Sequence, residues 1–224
     1  MGRMIQLEAE GQLASAYLAE PGQPGPGVLL MHAWWGLNDF FKEMADRLAG
    51  EGFVVLAPDL YHGTVVSTIE EAERQIDTLS DAYASAVVRA AADYLLGHSS
   101  VEGAKLGAAG FSMGAAFAAW LAKERVDVVA VVLFYGGVEQ GEDYPQQTEA
   151  AFLGHFASHD EWESDEIMRQ LEKRLREGGR EAQFYVYPET GHWFFESNRP
   201  EVYNADAAQL AWERTVDFLR GKLG

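Results

Sequence analysis

A serine between two glycines, placed between an apolar run and an alanine-rich stretch, constrains the fold of this chain most strongly. The pentapeptide at residues 110–114, Gly-Phe-Ser-Met-Gly, follows the apolar run 105–109 and precedes the helix-forming stretch 115–121. A strand, a sharp turn and a helix in this order make a nucleophile elbow, which raises the serine hydroxyl above the edge of a sheet. Glycines two residues to either side let the strand and the helix approach closely. The pattern predicts Ser112 as a catalytic nucleophile.

Short apolar runs alternate with helical segments along most of the chain. The runs are typical of strands buried on both faces, and they lie at residues 28–31, 53–57, 106–110, 128–135, 151–157 and 183–187. We expect helices at residues 40–50, 69–96 with a break near Ser80, 113–123, 165–177 and 205–219. This alternation, with right-handed crossovers, predicts an α/β fold whose mostly parallel sheet carries helices on both faces.

The remaining segments are a strand pair and two loops. Residues 4–7 and 13–18 flank Gly11 and are expected to pair as antiparallel strands, followed by a loop over residues 21–27 that is rich in proline and glycine. Residues 138–148 are polar, contain Pro145 and are expected to be irregular, as part of the rim of a cleft.

Composition favours one domain and disfavours nucleic-acid and membrane partners. A chain of 224 residues with 48% apolar residues is sufficient for one domain over residues 1–224. The absence of cysteine excludes disulfides and thiolate catalysis and is consistent with a reducing cytoplasm. The net charge of −18 disfavours nucleic acid and anionic lipid as partners. Residues 1–11 do not resemble a signal peptide, and no apolar stretch reaches the ~18 residues of a membrane span, so we expect a cytoplasmic protein.

A serine nucleophile needs a base, and the base needs a carboxylate to orient it. His192 follows the predicted strand 183–187 through a short loop, and Asp160 follows the strand 151–157 in the same way. The chain order Ser112, Asp160, His192 is that of the α/β-hydrolase triad. If His192 is not the base, His155 or His159 is the alternative. The competing acids are Glu161, Asp143 and Asp165.

Two backbone N–H groups are expected to form the oxyanion hole. One belongs to Met113, at the positive end of the helix that follows the nucleophile. The second should come from the loop after residues 28–31, with Trp34 as the best candidate. His32 in that loop either orients backbone groups or packs silently, and silent packing is the favoured expectation. His155 and His159 are four residues apart on a strand and a turn, where they share no helical face. We therefore expect neither a metal nor an organic cofactor.

These residues resemble the dienelactone hydrolase family of α/β hydrolases. The resemblance rests on Trp-Gly-Leu-Asn at 35–38, the ten residues 52–61, Phe-Tyr-Gly at 134–136, His-Phe-Ala at 155–157 and Gly-His at 191–192 before aromatic residues. It covers nearly the whole chain and implies the α/β-hydrolase fold. It also implies a triad of Ser112, Asp160 and His192, with an oxyanion hole formed by the backbone at Trp34 and Met113.

Three positions depart from the family pattern. The founding enzymes have a cysteine where this chain has Ser112 and a glutamate where it has Ala33, so a conventional Ser-His-Asp mechanism is expected. The carboxylate-binding arginine of the family is replaced by Glu196, which should repel an anionic substrate. Replacing Glu196 by arginine should then favour such a substrate. Arg74 is another candidate for binding an anion, although an exposed helix face is the favoured explanation.

Aromatic side chains near the carboxyl ends of the predicted strands suggest an apolar cleft. They are Trp34, Trp35, Tyr61, Tyr135, Trp193, Phe194 and Phe195. The candidate substrate-binding residues are Trp35, Tyr61, Tyr135, Trp193 and Glu196. An apolar cleft favours a serine hydrolase that cleaves esters, lactones or thioesters of small apolar acids. The alternatives are an acyltransferase on the same fold and a non-catalytic small-molecule binding protein.

Overall fold

The computed structural model describes residues 2–137 and 144–224. The chain forms two compact units, Met1–Leu106 and Gly107–Gly224. One domain over the whole chain therefore stays a prediction, and the units are described in turn. No helix in the described residues is long and apolar enough to cross a membrane.

The first unit is a sheet of four complete strands with three helices. The strands hydrogen-bond in the order β1-β2-β4-β3. Their bounds are β1 Arg3–Ala9, β2 Gln12–Ala19, β3 Gly25–Met31 and β4 Val54–Pro58, and the helices are α1 Asp39–Gly50, α2 Ile69–Ile76 and α3 Asp81–Leu96. β1 and β2 form the predicted antiparallel pair, β2 is also antiparallel to β4, and β3 and β4 are parallel.

Two boundaries in this unit show how local chemistry sets the elements. The break predicted near Ser80 is confirmed, because the Ser80 side chain accepts the N–H of Tyr83 and caps α3. The predicted loop 21–27 is wrong at its end. β3 begins at Gly25, whose N–H donates to the carbonyl of Ser100 at 2.9 Å.

The second unit carries the strand order β5-β6-β7-β8, in which β5 begins before the unit boundary and ends after it. The strands are β5 Val101–Phe111, β6 Val128–Phe134, β7 Ala151–His159 and β8 Ala182–Gly191, and the helices are α4 Met113–Glu124, α5 Asp165–Glu177 and α6 Ala205–Leu223. β6 is parallel to β7, and β7 is parallel to β8. The predicted α/β class with a mostly parallel sheet is confirmed.

β8 is longer than its apolar run and ends directly before a predicted site residue. The register between β7 and β8 shifts between Ala157 and His159, after which His159 pairs with Gly191. The strand therefore extends four residues beyond the predicted end at Tyr187 and carries His192 to the carboxyl edge of the sheet.

Only part of the predicted irregular segment 138–148 lies within the described residues. Residues 138–143, including Asp143, lie outside the described residues. Tyr144–Gln146 forms a single 3₁₀ turn, and the buried Tyr144 hydroxyl donates to the carbonyl of Ala119 in α4 at 2.8 Å. This end of the segment is therefore packed against a helix rather than open at a cleft rim.

Candidate active site

Ser112 lies at the sharp turn between β5 and α4. Its φ of 49° and ψ of −115° place it in a backbone conformation that L-residues rarely adopt. A Cβ at Gly110 would collide with the backbone of Gly114, which explains the first glycine of the pentapeptide. The Ser112 N–H donates to the carbonyl of Phe134 at the end of β6, at 2.9 Å. The turn has the geometry of a nucleophile elbow.

The structure brings Ser112, His192 and Asp160 together. Nε2 of His192 lies 3.0 Å from Oγ of Ser112. Nδ1 of the same imidazole lies 2.9 and 2.8 Å from the two carboxylate oxygens of Asp160. Because a carboxylate only accepts, Nδ1 carries the hydrogen, and Nε2 is left to accept the Ser112 O–H. Both side chains of the His192–Asp160 pair are almost fully buried.

Asp160 is held by the loop that follows β7. Its Oδ1 accepts the backbone N–H groups of Trp162 and Glu163, at 2.9 and 3.0 Å. The competing acids are placed differently. Glu161 is exposed, and Asp165, in the first turn of α5, pairs with Arg169 at 3.3 Å. In the described part of the chain, Asp160 is the one of these acids that contacts His192.

The alternative bases lie away from this arrangement. His155 is buried between the Tyr187 hydroxyl, 2.8 Å from Nδ1, and the Thr215 hydroxyl, 3.0 Å from Nε2. Burial lowers the pKa of His155 to about 3, so it stays neutral at physiological pH. His159 is exposed. Within residues 2–137 and 144–224, no three His, Asp or Glu side chains are grouped so that they could hold a metal ion.

Glu196 is not in the open position expected of a substrate-binding residue. Its side chain has no exposed surface, and Oε1 accepts the Tyr135 hydroxyl at 2.7 Å. Burial raises the pKa of Glu196 to about 7, against the lowering effects of this hydrogen bond and of Arg199. The expected contact of Glu196 with substrate is therefore wrong for this structure, because the side chain turns into the protein. The expected gain from arginine stays a prediction, and at this position it requires a larger cation to be buried.

Tyr135 also differs from its predicted role in the cleft. It is fully buried directly after β6, with a φ of 34°. Its ring meets the His192 imidazole edge-on, with centroids 4.9 Å apart. Burial, followed by the nearby Glu196, raises the pKa of Tyr135 well above its usual value. Tyr135 therefore contacts the base rather than an open cleft.

The aromatic residues around His192 are divided between core and surface. Phe194 and Phe195 are buried, and the ring centroid of Phe195 lies 4.6 Å from that of Phe134. Trp193 lies 4.8 Å from His192 and is 7% exposed. Sequence reasoning missed Trp162, which is 46% exposed. Its ring centroid lies 5.8 Å from that of Trp193 and 6.5 Å from that of His192. Its position two residues after Asp160 is the signal that could have drawn attention to it.

Glu163 is a second residue that the sequence analysis missed. Burial and the neighbouring Asp160 raise its pKa to about 7, while a hydrogen bond from the Gly137 backbone opposes the shift. A titratable carboxyl thus lies beside the acid that orients the base. No motif marks it, because its burial depends on how the loop 160–164 folds back.

Apart from Met113, the remaining predicted residues belong to the first unit. Trp34 and Trp35 follow β3, Tyr61 follows β4, and all three are buried. Their predicted roles toward Ser112 stay predictions, as does the oxyanion role of Met113, the first residue of α4.

His32 orients backbone groups, the alternative to the silent packing that was expected, whereas Arg74 lies where it was expected. His32 is buried; its Nε2 accepts the N–H of Leu60 at 3.1 Å, so it orders the loops after β3 and β4. Arg74 is exposed on α2, in agreement with an exposed helix face.

A strained serine, an imidazole and a buried carboxylate in this order form the arrangement on which serine hydrolases rely. Comparison with known proteins gives the family. The model of the dienelactone hydrolase family matches residues 14–223. The chain therefore belongs to the dienelactone hydrolase family, has the α/β-hydrolase fold and is a hydrolase acting on ester or lactone bonds.

Individual relatives align with this chain over nearly its full length. "Protein usf" from Aquifex pyrophilus is 30% identical, with 98% of each chain covered. A protein of Bradyrhizobium sp. named "Probable 2-oxo-3-(5-oxofuran-2-ylidene)propanoate lactonase" is 31% identical, with 98% of this chain and 94% of that protein covered. Among solved structures, a dienelactone hydrolase-like promiscuous phosphotriesterase from metagenomic libraries superposes with a TM-score of 0.90 at 23% identity, covering 100% of this chain and 99% of that one.

Proposed function

We propose that this chain is a serine esterase or lactonase that works through a covalent acyl-enzyme on Ser112. The observation that carries the proposal is the continuous contact from Ser112 Oγ to His192 Nε2, at 3.0 Å, and from His192 Nδ1 to Asp160. A serine hydroxyl is a weak nucleophile until a base takes its proton in the transition state. His192 is the one described imidazole in contact with Ser112.

The reaction proceeds in two halves. Oγ of Ser112 forms a bond to the carbonyl carbon while its proton passes to Nε2 of His192, and the carbonyl becomes an oxyanion. When the bond to the leaving oxygen breaks, His192 returns the proton to that oxygen, and the acyl group remains on Ser112. Water then gives a proton to His192 as it attacks the acyl carbon. When the bond between that carbon and Oγ breaks, His192 returns the proton to Oγ, the acid is released and Ser112 is restored. Asp160 holds the imidazole and stabilises its positive charge in both halves.

The oxyanion needs donors that are already in place. We assign the first to the backbone N–H of Met113, because it follows the nucleophile directly and opens the twelve-residue helix α4. The positive end of the helix dipole supports this assignment. The second is assigned to the backbone N–H of Trp34, on the family resemblance.

The substrate class is a small, uncharged ester, lactone or thioester with an apolar acyl group. Two observations support this proposal. Trp162 and Trp193 place aromatic surface beside His192. The family position that binds a carboxylate is occupied by Glu196. This residue is an acid rather than a cation, and it is buried, so it offers no positive charge to an anionic substrate. The activity is expected without metal or organic cofactor and in the cytoplasm, the latter on the absence of cysteine.

The test is hydrolysis of p-nitrophenyl butyrate by the purified protein and four variants. Ser112→Ala and His192→Ala should each lower kcat by roughly 10⁴-fold, because members of a triad act as a unit. The matched controls are Ser197→Ala and His159→Ala, which change an exposed serine and an exposed histidine and should stay within about twofold of wild type. If His192→Ala kept more than a tenth of the rate, His192 would not be the base.

Hydrolysis and acyl transfer differ only in the acceptor. Adding a simple alcohol to the same assay and measuring free butyrate against the butyrate ester of that alcohol by mass spectrometry separates the two. Free butyrate as the main product supports a hydrolase. A dominant ester product at low alcohol concentration would make the chain an acyltransferase.

A further inference from the structure

The imidazole of His192 is in contact with two aromatic rings of the second unit. Tyr135 meets it at a centroid distance of 4.9 Å and an interplanar angle of 61°, and Trp193 at 4.8 Å and 88°. Both arrangements are edge-on contacts of the kind that aromatic pairs prefer. Asp160 fixes one nitrogen of the imidazole, whereas the tilt of the ring plane depends on what packs against it. These two rings are therefore positioned to set that tilt.

Tyr135 is itself anchored at its far end. Its hydroxyl donates to Oε1 of Glu196 at 2.7 Å, between residues that are 61 positions apart in the sequence and both fully buried. A hydrogen bond to a carboxylate is short and strong, and inside a protein its loss leaves a buried polar group without a partner. The bond therefore restricts how the Tyr135 ring can rotate against His192.

Glu196 is held from its other side. Nε of Arg199, three residues further along the chain, lies 3.7 Å from Oε2 of Glu196. The guanidinium of Arg199 also lies over the ring of Trp193, 5.4 Å from its centroid. The Glu196–Arg199 pair thus touches both rings that contact the imidazole, Tyr135 through a hydrogen bond and Trp193 through a cation–π contact.

The backbone at Tyr135 connects the same arrangement to the nucleophile. Tyr135 has a φ of 34°, an uncommon conformation for a bulky residue. Its N–H donates to the carbonyl of His155 at 2.7 Å. A Cβ at the next residue, Gly136, would collide with the backbone of Ser112. The strained turn after β6 therefore lies directly against the elbow while it presents the Tyr135 ring to His192.

We propose that the buried Tyr135–Glu196 hydrogen bond is a positioning element of the active site, which holds the His192 imidazole in line with Ser112 Oγ. The proposal rests on the function proposed above. It gives Glu196 a role in this chain that differs from binding the substrate carboxylate. Glu196 and Tyr135 act through His192 and are positioning residues.

A role in folding alone and a role in positioning predict different kinetics. Misplacing a catalytic group by as much as 1 Å costs about 10²-fold in rate without removing any contact to substrate. Loss of positioning therefore lowers kcat and leaves KM unchanged. A purely structural role lowers the melting temperature and leaves the kinetics of the folded fraction intact.

The experiment is a double-mutant cycle with p-nitrophenyl butyrate. Tyr135→Phe keeps the ring and removes its anchor, and Glu196→Met keeps the volume and removes the acceptor. We expect each to lower kcat by roughly 10- to 100-fold with KM within about twofold. The double variant should be no slower than the slower single variant, because both remove the same bond. Tyr203→Phe, at an exposed tyrosine, is the control and should match wild type.

The outcomes distinguish failure of the positioning role from failure of the proposed function. Fluorophosphonate labelling of Ser112 and thermal unfolding are measured on every variant. A folded Tyr135→Phe protein with kcat within twofold of wild type, or kcat losses that multiply in the double variant, would overturn the positioning role. If Glu196→Met does not fold, Tyr135→Phe alone decides. A wild-type protein that neither hydrolyses the ester nor labels at Ser112 would instead overturn the proposed function.

Discussion

Both carboxylate oxygens of Asp160 contact Nδ1 of His192, at 2.9 Å from Oδ1 and 2.8 Å from Oδ2. Oδ1 also accepts the N–H groups of Trp162 and Glu163. The carboxylate is thus fixed by its own loop before it orients the imidazole. The contact with Asp160 keeps the hydrogen of His192 on Nδ1, and this tautomer leaves Nε2 as the acceptor that faces Ser112.

Removing the charge of Asp160 should therefore misorient the base rather than unfold the protein. We expect Asp160→Asn to lower kcat for p-nitrophenyl butyrate by about 10³- to 10⁴-fold, because an amide can donate to Nδ1 and favour the wrong tautomer. Asp165→Asn, five residues further along, is the control and should change kcat by less than twofold. Near-wild-type activity in Asp160→Asn would show that another acid orients His192.

Metal removal should leave the activity unchanged. The proposed mechanism draws its nucleophile and base from Ser112 and His192, and it routes no step through a metal. After dialysis against EDTA, the rate with p-nitrophenyl butyrate should equal that of the undialysed protein, and elemental analysis should find no stoichiometric zinc. Reversible loss of activity on chelation, restored by added metal, would contradict this expectation.

A negative charge on the substrate should lower kcat/KM. The mono-p-nitrophenyl ester of succinic acid and p-nitrophenyl butyrate have acyl chains of equal length, and only the first carries a carboxylate. With Glu196 buried at the position of the family arginine, we expect kcat/KM to favour the butyrate by about tenfold, equivalent to ~1.4 kcal/mol. Dienelactone, also an anion, should likewise be a poor substrate.

A preference for the succinate ester would show that another cation binds the carboxylate. Arg199, whose guanidinium lies over Trp193, is the residue to replace in that case. Glu196→Arg is not a suitable test, because it would bury a larger cation among Tyr135 and its neighbours.

Glu163 predicts a pH dependence of stability. Burial and Asp160 raise its pKa to about 7 from an ordinary value of 4.5. In the pH range between these values the folded state holds a proton that the unfolded chain has lost, so the free energy of unfolding falls as pH rises. The loss amounts to roughly 3 kcal/mol at most. Urea unfolding from pH 4.5 to 8 should show a smaller fall in Glu163→Gln than in wild type, whereas Glu161→Gln, at an exposed site, should follow wild type.

Much of this architecture is readable from local sequence, since each signal depends on neighbours in the chain. The apolar runs locate the strands, Ser80 marks the break between α2 and α3, and the bounds of α5 are those predicted. The elbow was predictable because its glycines have steric roles at fixed offsets. His192 and Asp160 could be proposed as base and acid because each follows a strand of the same parallel sheet.

What sequence reasoning missed depends on contacts between distant segments. The Tyr135–Glu196 bond joins residues 61 positions apart, and only the packing of the turn after β6 against residues 193–196 buries them together. Glu196 was expected to face the substrate because it stands where the family resemblance places the carboxylate-binding arginine. The raised pKa of Glu163 likewise depends on its burial beside Asp160 in the loop after β7, which no sequence motif identifies.

The central claim, a catalytic serine at the elbow, is tested most directly by covalent labelling. A fluorophosphonate reacts with a serine that an adjacent base activates, so one equivalent should add to the wild-type protein, and peptide mass spectrometry should place it on Ser112. The same treatment should abolish hydrolysis of p-nitrophenyl butyrate and should leave His192→Ala essentially unlabelled. A folded wild-type protein that hydrolyses the ester but carries no label on Ser112 would contradict the account.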